Sequence, residues 1–173
     1  LSPYAASKKA CEVLSHTYNY IHKIDISVLR FFTVYGPAGR PDMSIFKFIK
    51  SIDEAKPITI FGDGTQSRDF TYVDDIAAGV ISSIRATGYQ IINLGNDKPI
   101  ILSNIVELIE NYLNKKAIIN YTPAHAADVK DTWANIEKAK NLLQWGPTIS
   151  IEEGIKRTVN WYLENKTWLS KIK

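Results

Sequence analysis

The chain has 173 residues, 45% of them apolar and 23% charged, with a formal net charge of +3: the range of an ordinary globular fold with one good core or two small ones. Acidic and basic residues are interleaved without a Lys/Arg cluster, which argues against nucleic acid as a partner. Cys11 is the lone cysteine, His16, His22 and His125 lack metal-ligand spacing, and every apolar run falls short of the ~20 residues of a membrane helix, so disulfide scaffold, structural metal and membrane protein are all set aside.

From Pro3 to about His22, residues Ala6, Ala10, Val13, Leu14, Thr17, Tyr18 and Ile21 recur every three or four positions, predicting a helix with that face buried. Ile26 to Phe32 is β-branched and aromatic, predicting a buried strand directly after it. Four Gly/Pro residues between Tyr35 and Asp42 predict a loop, followed by a short helix from about Met43 to Asp53. Ile58–Phe61 and Ser67–Tyr72 flank Gly62-Asp-Gly64, the pattern of a hairpin, and Asp74 is placed as the N-cap of the next helix. Strands at 90–94 and 118–121 bracket a helix over 102–113, and two helices close the chain, the last opening with the capping box Ser150-x-x-Glu153. Alternating helix and strand predict an α/β fold with a parallel sheet, too short in strands to complete a doubly wound sheet.

Tyr4 and Lys8 are four apart, so a helix puts them on one face. An ammonium one turn from a phenol favours the phenolate, the form that accepts a proton. The spacing also occurs at Tyr112/Lys116 and Tyr162/Lys166, both read as solvated helix faces. Tyr4 differs in its context. The small residues Ala5-Ala6-Ser7 admit a flat ligand close to the helix, and the following strand ends in a glycine-rich loop, where open α/β sheets bind ligands.

Three blocks, Ser2-Pro-Tyr-Ala-Ala-Ser-Lys8, Leu29-Arg-Phe-Phe-Thr-Val-Tyr-Gly-Pro37 and Gly62-Asp-Gly-Thr-Gln-Ser-Arg-Asp-Phe-Thr-Tyr-Val-Asp-Asp-Ile76, stand here in an order and spacing that resemble the extended short-chain dehydrogenase/reductase family. Within it they are similar to the NAD-dependent nucleotide-sugar epimerases and dehydratases. The resemblance runs to Trp145-Gly-Pro and the helix at Glu153. It implies the C-terminal part of a Rossmann-type parallel sheet, at 1–37 and 74–95, with a smaller mixed α/β substrate domain at 38–73 and 96–173. The family's glycine-rich phosphate loop, acidic ribose ligand and catalytic Ser/Thr would then precede residue 1, so the opening is expected to be a cut edge.

The same resemblance implies roles. Tyr4 is the acid/base at the sugar hydroxyl, and Lys8 assists it and meets the nicotinamide ribose. Phe31 and Phe32 are either core or neighbours of the nicotinamide; Thr33 ends the strand at cofactor and sugar. Arg40, in a string resembling the 4-epimerases of UDP-glucuronate, either meets the hexuronic carboxylate or pairs with Asp42. Arg68 takes the pyrophosphate, Phe61 packs near uracil or in the hairpin core, and Asp128 takes the nucleotide ribose. Asp74 and Asp75 are read as helix caps. The expected activity of the parent protein is NAD-dependent 4-epimerisation of a UDP-sugar, UDP-glucuronate first, by a cytoplasmic homodimer, with Leu14, Tyr18 and Ile21 either as a dimer face or packed on the sheet expected before residue 1. Another epimerase, a 4,6-dehydratase, or a non-catalytic sugar-nucleotide-binding piece that holds no NAD are the alternatives.

Overall fold

The computed structural model describes residues 2–123 and 129–171. The first helix, α1 (Pro3–His22), starts where the sequence places it: the Ser2 hydroxyl accepts the Ala5 amide at 3.1 Å and Pro3 stands at the first helical position. It ends at Lys23, which takes the left-handed conformation (φ 54°) and donates its amide to the Asn19 carbonyl. Then follow β1 (Ile26–Phe31), β2 (Thr33–Tyr35), α2 (Ser44–Asp53), β3 (Pro57–Phe61), β4 (Ser67–Arg68), β5 (Phe70–Tyr72) and α3 (Val73–Ser83). The remainder is β6 (Tyr89–Leu94), β7 (Ile100–Ile101), α4 (Leu102–Leu113), β8 (Ile118–Thr122), α5 (Glu137–Leu143), α6 (Ile151–Glu164) and α7 (Lys166–Leu169).

Among the described residues the strands pair two by two: β1 with β6, β2 with β5 and β3 with β8, all parallel, and β4 with β7, antiparallel. The expected α/β class with parallel strands is therefore what forms. The hairpin does not. Ile58 and Ile60 alternate into the core and draw β3 to β8, some sixty residues downstream, while Ser67 and Arg68 pair with β7. The turn itself survives without its hairpin, with Gly62 and Gly64 at φ 80° and 82° and Asp63 Oδ1 accepting from the Thr65 amide and hydroxyl.

Two hydrophobic clusters form. The larger is built by α2, α4 and α6 around β3 and β5, with Ile49, Ile60, Phe70, Ile105, Ile109, Ile155 and Val159 essentially inaccessible. The smaller gathers Ile76, Ile92, Leu94, Ala134, Ile136, Ala139 and Trp145 beside β1 and β6. Gly154 lets α6 lie against β2, since a Cβ there would stand 2.0 Å from the Tyr35 hydroxyl oxygen.

Four other expectations change. The face of α1 carrying Val13, Leu14, Tyr18 and Ile21 is exposed, and Glu12 is the helix's single buried residue, because the docked side of α1 is polar. Strand β1 is half-buried rather than buried. Tyr72, not Asp74, occupies the N-cap of α3; Asp75 instead accepts the Thr148 amide and hydroxyl and the Ile149 amide, tying the start of α3 to the approach to α6. A short third helix, α7, follows the two expected at the end, and Ser150 caps α6 by accepting the Glu153 amide at 3.3 Å.

Candidate active site

The site lies where one extended segment changes partners. Along β1 the ladder runs to Phe31 opposite Leu94; Phe32 then donates to the Leu94 carbonyl, Thr33 donates to the Asp69 carbonyl at 3.0 Å, and β2 continues against β5. Thr33 thus sits at the carboxyl end of one parallel pair and the start of the next. Beyond Tyr35 the chain turns at Gly36 (φ 149°), where a Cβ would stand 2.5 Å from Val73 Cγ1. The loop from Gly36 to Met43 folds back over this strand end.

Two grooves open there. One, of about 730 Å³, is lined by Tyr4, Phe31, Thr33, Gly36 and Arg40, among others. Its neighbour, of about 360 Å³, is lined by Thr33, Lys47, Thr59, Phe61, Gln66 and Arg68, among others. Thr33 and Met43 line both. The expected residues Tyr4, Phe31, Thr33 and Arg40 therefore meet in the first groove, and Phe61 and Arg68 join Thr33 in the second. Lys8 lines neither, but its Nζ lies 5.5 Å from the centre of the Tyr4 ring. Asp128 lies outside the described residues.

Exposure separates the readings left open by the sequence. Phe31 and Phe61 are about half exposed and join neither hydrophobic cluster of the described residues, whereas Phe32 packs against the smaller one. Tyr4 is 71% exposed, while Tyr162 of the competing Tyr162/Lys166 pair is buried in the larger core, not on a solvated face. Arg40 holds Asp42 through Nε and Nη2, a two-point ion pair that pulls the Asp42 carboxyl below, and pushes the guanidinium above, their ordinary ranges. Arg68 Nη1 donates to the carbonyls of Ser67 and Lys130, at 2.8 and 2.9 Å.

Asp69 is the support that spacing did not reveal. It is inaccessible to solvent, and its carboxylate accepts the amides of Asn96 (2.5 Å), Asp97 (3.1 Å) and Ala134 (2.9 Å). It thereby binds β5 to the loops after β6 and before α5. Its only trace in the sequence is its place in the third block, between Arg68 and Phe70.

Residues 1–95 match the family described as NAD dependent epimerase/dehydratase. The chain belongs to that family. Members and structural neighbours of this epimerase/dehydratase family resemble the chain throughout. UDP-glucuronate 4-epimerase of Thermodesulfobacterium geofontis is 63% identical over 174 residues, covering 100% of this chain and 54% of the relative. The crystal structure of UDP-glucuronic acid 4-epimerase from Bacillus cereus, in complex with UDP-glucuronic acid and NAD, superposes with a TM-score of 0.89 at 40% identity, over 95% of this chain and 53% of that one. UDP-glucose 4-epimerase of Thermotoga maritima, with UDP-glucose, gives a TM-score of 0.92 at 27% identity, over 96% and 55%. The chain spans about half the length of the relatives it matches. Its folded neighbours support the Rossmann-type reading of the fold.

The donor set suits the nicotinamide end of the family's cofactor. An exposed phenol, an ammonium one turn away and a half-exposed aromatic at a strand end form a surface that a flat carboxamide ring and its ribose hydroxyls fit. Among the described residues, no helix is long and apolar enough to cross a membrane.

Proposed function

We propose that the protein carrying this chain is an NAD-dependent 4-epimerase of UDP-glucuronate. The observation that carries the reading is that Thr33 and Met43 line both grooves, so that Tyr4 and Arg40, read as acid/base and carboxylate partner, adjoin the groove of Arg68, read as the phosphate partner. The likeness to UDP-glucuronate 4-epimerases supports the choice of sugar.

In this reading Tyr4 accepts the proton from the sugar O4 and later returns it, with the Lys8 ammonium one helical turn away, 5.5 Å from the centre of its ring. NAD, when bound, supplies the two-electron acceptor and donor for C4. Thr33 hydrogen-bonds the sugar at the junction of the grooves, so that the flat 4-keto sugar turns about a fixed nucleotide. Arg40 exchanges Asp42 for the hexuronic carboxylate, an exchange of like for like because both present two oxygens to one guanidinium. Arg68 takes the pyrophosphate, Phe61 lies beside the uracil and Asp128 takes the nucleotide ribose. Phe31, with Thr33, Tyr4 and Lys8, faces the nicotinamide.

The larger hydrophobic cluster, drawn from 38–73 and 96–173 apart from Tyr35, supports a substrate part there beside a cofactor-side part at 1–37 and 74–95, while Ala134, Ile136, Ala139 and Trp145 pack across that boundary against Ile76, Ile92 and Leu94. The exposed Leu14, Tyr18 and Ile21 of α1 support a homodimer packed through that helix, and a cytoplasmic location is part of the same proposal.

The test is an epimerase assay of the natural full-length protein with UDP-glucuronate, UDP-glucose and UDP-N-acetylglucosamine. UDP-glucuronate is expected to have the highest kcat/KM and to give UDP-galacturonate. Preference for a neutral sugar refutes the substrate, and a 4-keto-6-deoxy product refutes the reaction.

A further inference from the structure

We propose that the Glu12–Arg30 ion pair is the positioning device of this active site, fixing the helix that carries Tyr4 and Lys8 to the strand that leads to Thr33. The inference rests on the reading of Tyr4 as the proton-transfer residue. Within the 20 residues of α1, Glu12 alone is buried, and the helix's large apolar side chains point outward. Among the described residues, what resists α1 sliding or tilting on β1 and β6 is therefore polar contact, whatever further packing its outward face makes.

The polar contacts are well placed to stop it. Arg30 Nε donates to Glu12 Oε1 at 2.6 Å and Nη2 to Oε2 at 2.7 Å, while Lys9 Nζ meets Oε2 at 2.7 Å. From β6, the Tyr89 hydroxyl donates to the Glu12 carbonyl at 2.7 Å, and His16 packs edge-on against the Tyr89 ring, 4.9 Å between centres. One residue of the helix is thus tied through side chain and main chain to two adjacent strands. A two-point guanidinium–carboxylate contact fixes orientation as well as distance. The Glu12 carboxyl is held down to about 2 by its bonds to Arg30 and Lys9, which keeps the tie ionised at neutral pH.

The lever is long enough to matter. Eight residues of helix separate Glu12 from Tyr4, or ~12 Å at 1.5 Å per residue. A tilt of about 5° around the anchor moves Tyr4 by about 1 Å, a displacement that costs on the order of 100-fold in rate at a reacting centre. Stability is the weaker explanation, because the Arg30 side chain is 44% exposed, and replacing both partners of such a half-exposed pair by apolar residues leaves no charge buried without its partner.

The experiment compares the full-length protein with Glu12→Met/Arg30→Met and Glu12→Gln, by melting, steady-state kinetics with UDP-glucuronate, and amide hydrogen exchange across residues 4–11. The double variant is expected to melt within about 5 °C of the parent, to lose at least about tenfold in kcat with KM within about twofold, and to exchange faster in the first turns of α1 while α4 and α6 are unchanged. Full kcat in the folded double variant, a KM rise that accounts for the loss, or unchanged exchange in residues 4–11 overturns the proposal. If the double variant does not fold, Glu12→Gln is judged by the same criteria. A parent that epimerises no UDP-sugar instead refutes the reading of the site, and the exchange data then still decide whether the tie positions the helix.

Discussion

Asp69 holds Thr33 in place from two directions: its carbonyl accepts the Thr33 amide at 3.0 Å, while its buried carboxylate gathers the amides of Asn96, Asp97 and Ala134. Oδ2 alone faces two N–H donors, so the amide of Asp69→Asn must either set an NH₂ against them or turn and set it against Asn96. Each donor left without an acceptor costs roughly 1–3 kcal/mol. Asp69→Asn is expected to lose about 2–4 kcal/mol of stability in urea titration, with an unchanged midpoint as the contrary result.

Tyr4 tests the chemistry most directly. Tyr4→Phe keeps the ring at the groove and removes the proton acceptor, so kcat is expected to fall by about 10²- to 10⁴-fold with little change in KM. A residual rate within a factor of five of the parent means that another group moves the proton.

Arg40 separates the sugars. Its two-point hold on Asp42 shows the contact it can offer a hexuronate. Arg40→Ala should reduce kcat/KM for UDP-glucuronate by about 10- to 100-fold, the range of a charge-assisted hydrogen bond, and change that for UDP-glucose by less than about threefold. Equal losses on both sugars remove the carboxylate role. Asp42→Asn, by freeing the guanidinium from an exposed and therefore weak pair, should lower KM for UDP-glucuronate by up to about fivefold.

Glu12 makes stability depend on pH. Its carboxyl sits near 4.5 when unperturbed and at about 2 in the fold, so between those values the unfolded chain binds the extra proton. The stabilisation is complete above pH ~4.5 and is lost as the pH falls through about 2. The parent should exceed Glu12→Gln by about 1–3 kcal/mol at pH 7, with the gap narrowing in melts at pH 3 and again at pH 2. A gap independent of pH contradicts it.

The local elements were legible because their causes are local. Ser2 and Pro3 begin α1, Ser150 begins α6, and apolar period separates helix from strand. Tyr4 and Lys8 share a helix face for the same reason, and the matched blocks marked Thr33, Arg40, Phe61 and Arg68 as residues of one site. What failed were decisions between distant partners. The hairpin around Gly62-Asp-Gly64 was a sound local reading, but burial of Ile58 and Ile60 is better served by β8. Likewise the apolar period of α1 did not reveal that, among the described residues, the side of the helix against β1 and β6 is the polar one, where Glu12 satisfies its charge with Arg30 and Lys9.

By itself, then, the sequence determined most of the order of elements, the α/β class and the residues proposed to carry the chemistry, since propensity, capping and spacing act over a few residues. Only the tertiary structure decided which strands pair, that Asp69 sits buried beneath Thr33, and that an ion pair docks the helix bearing Tyr4. Those outcomes depend on which buried polar groups and apolar faces, some twenty to sixty-five residues apart, satisfy one another.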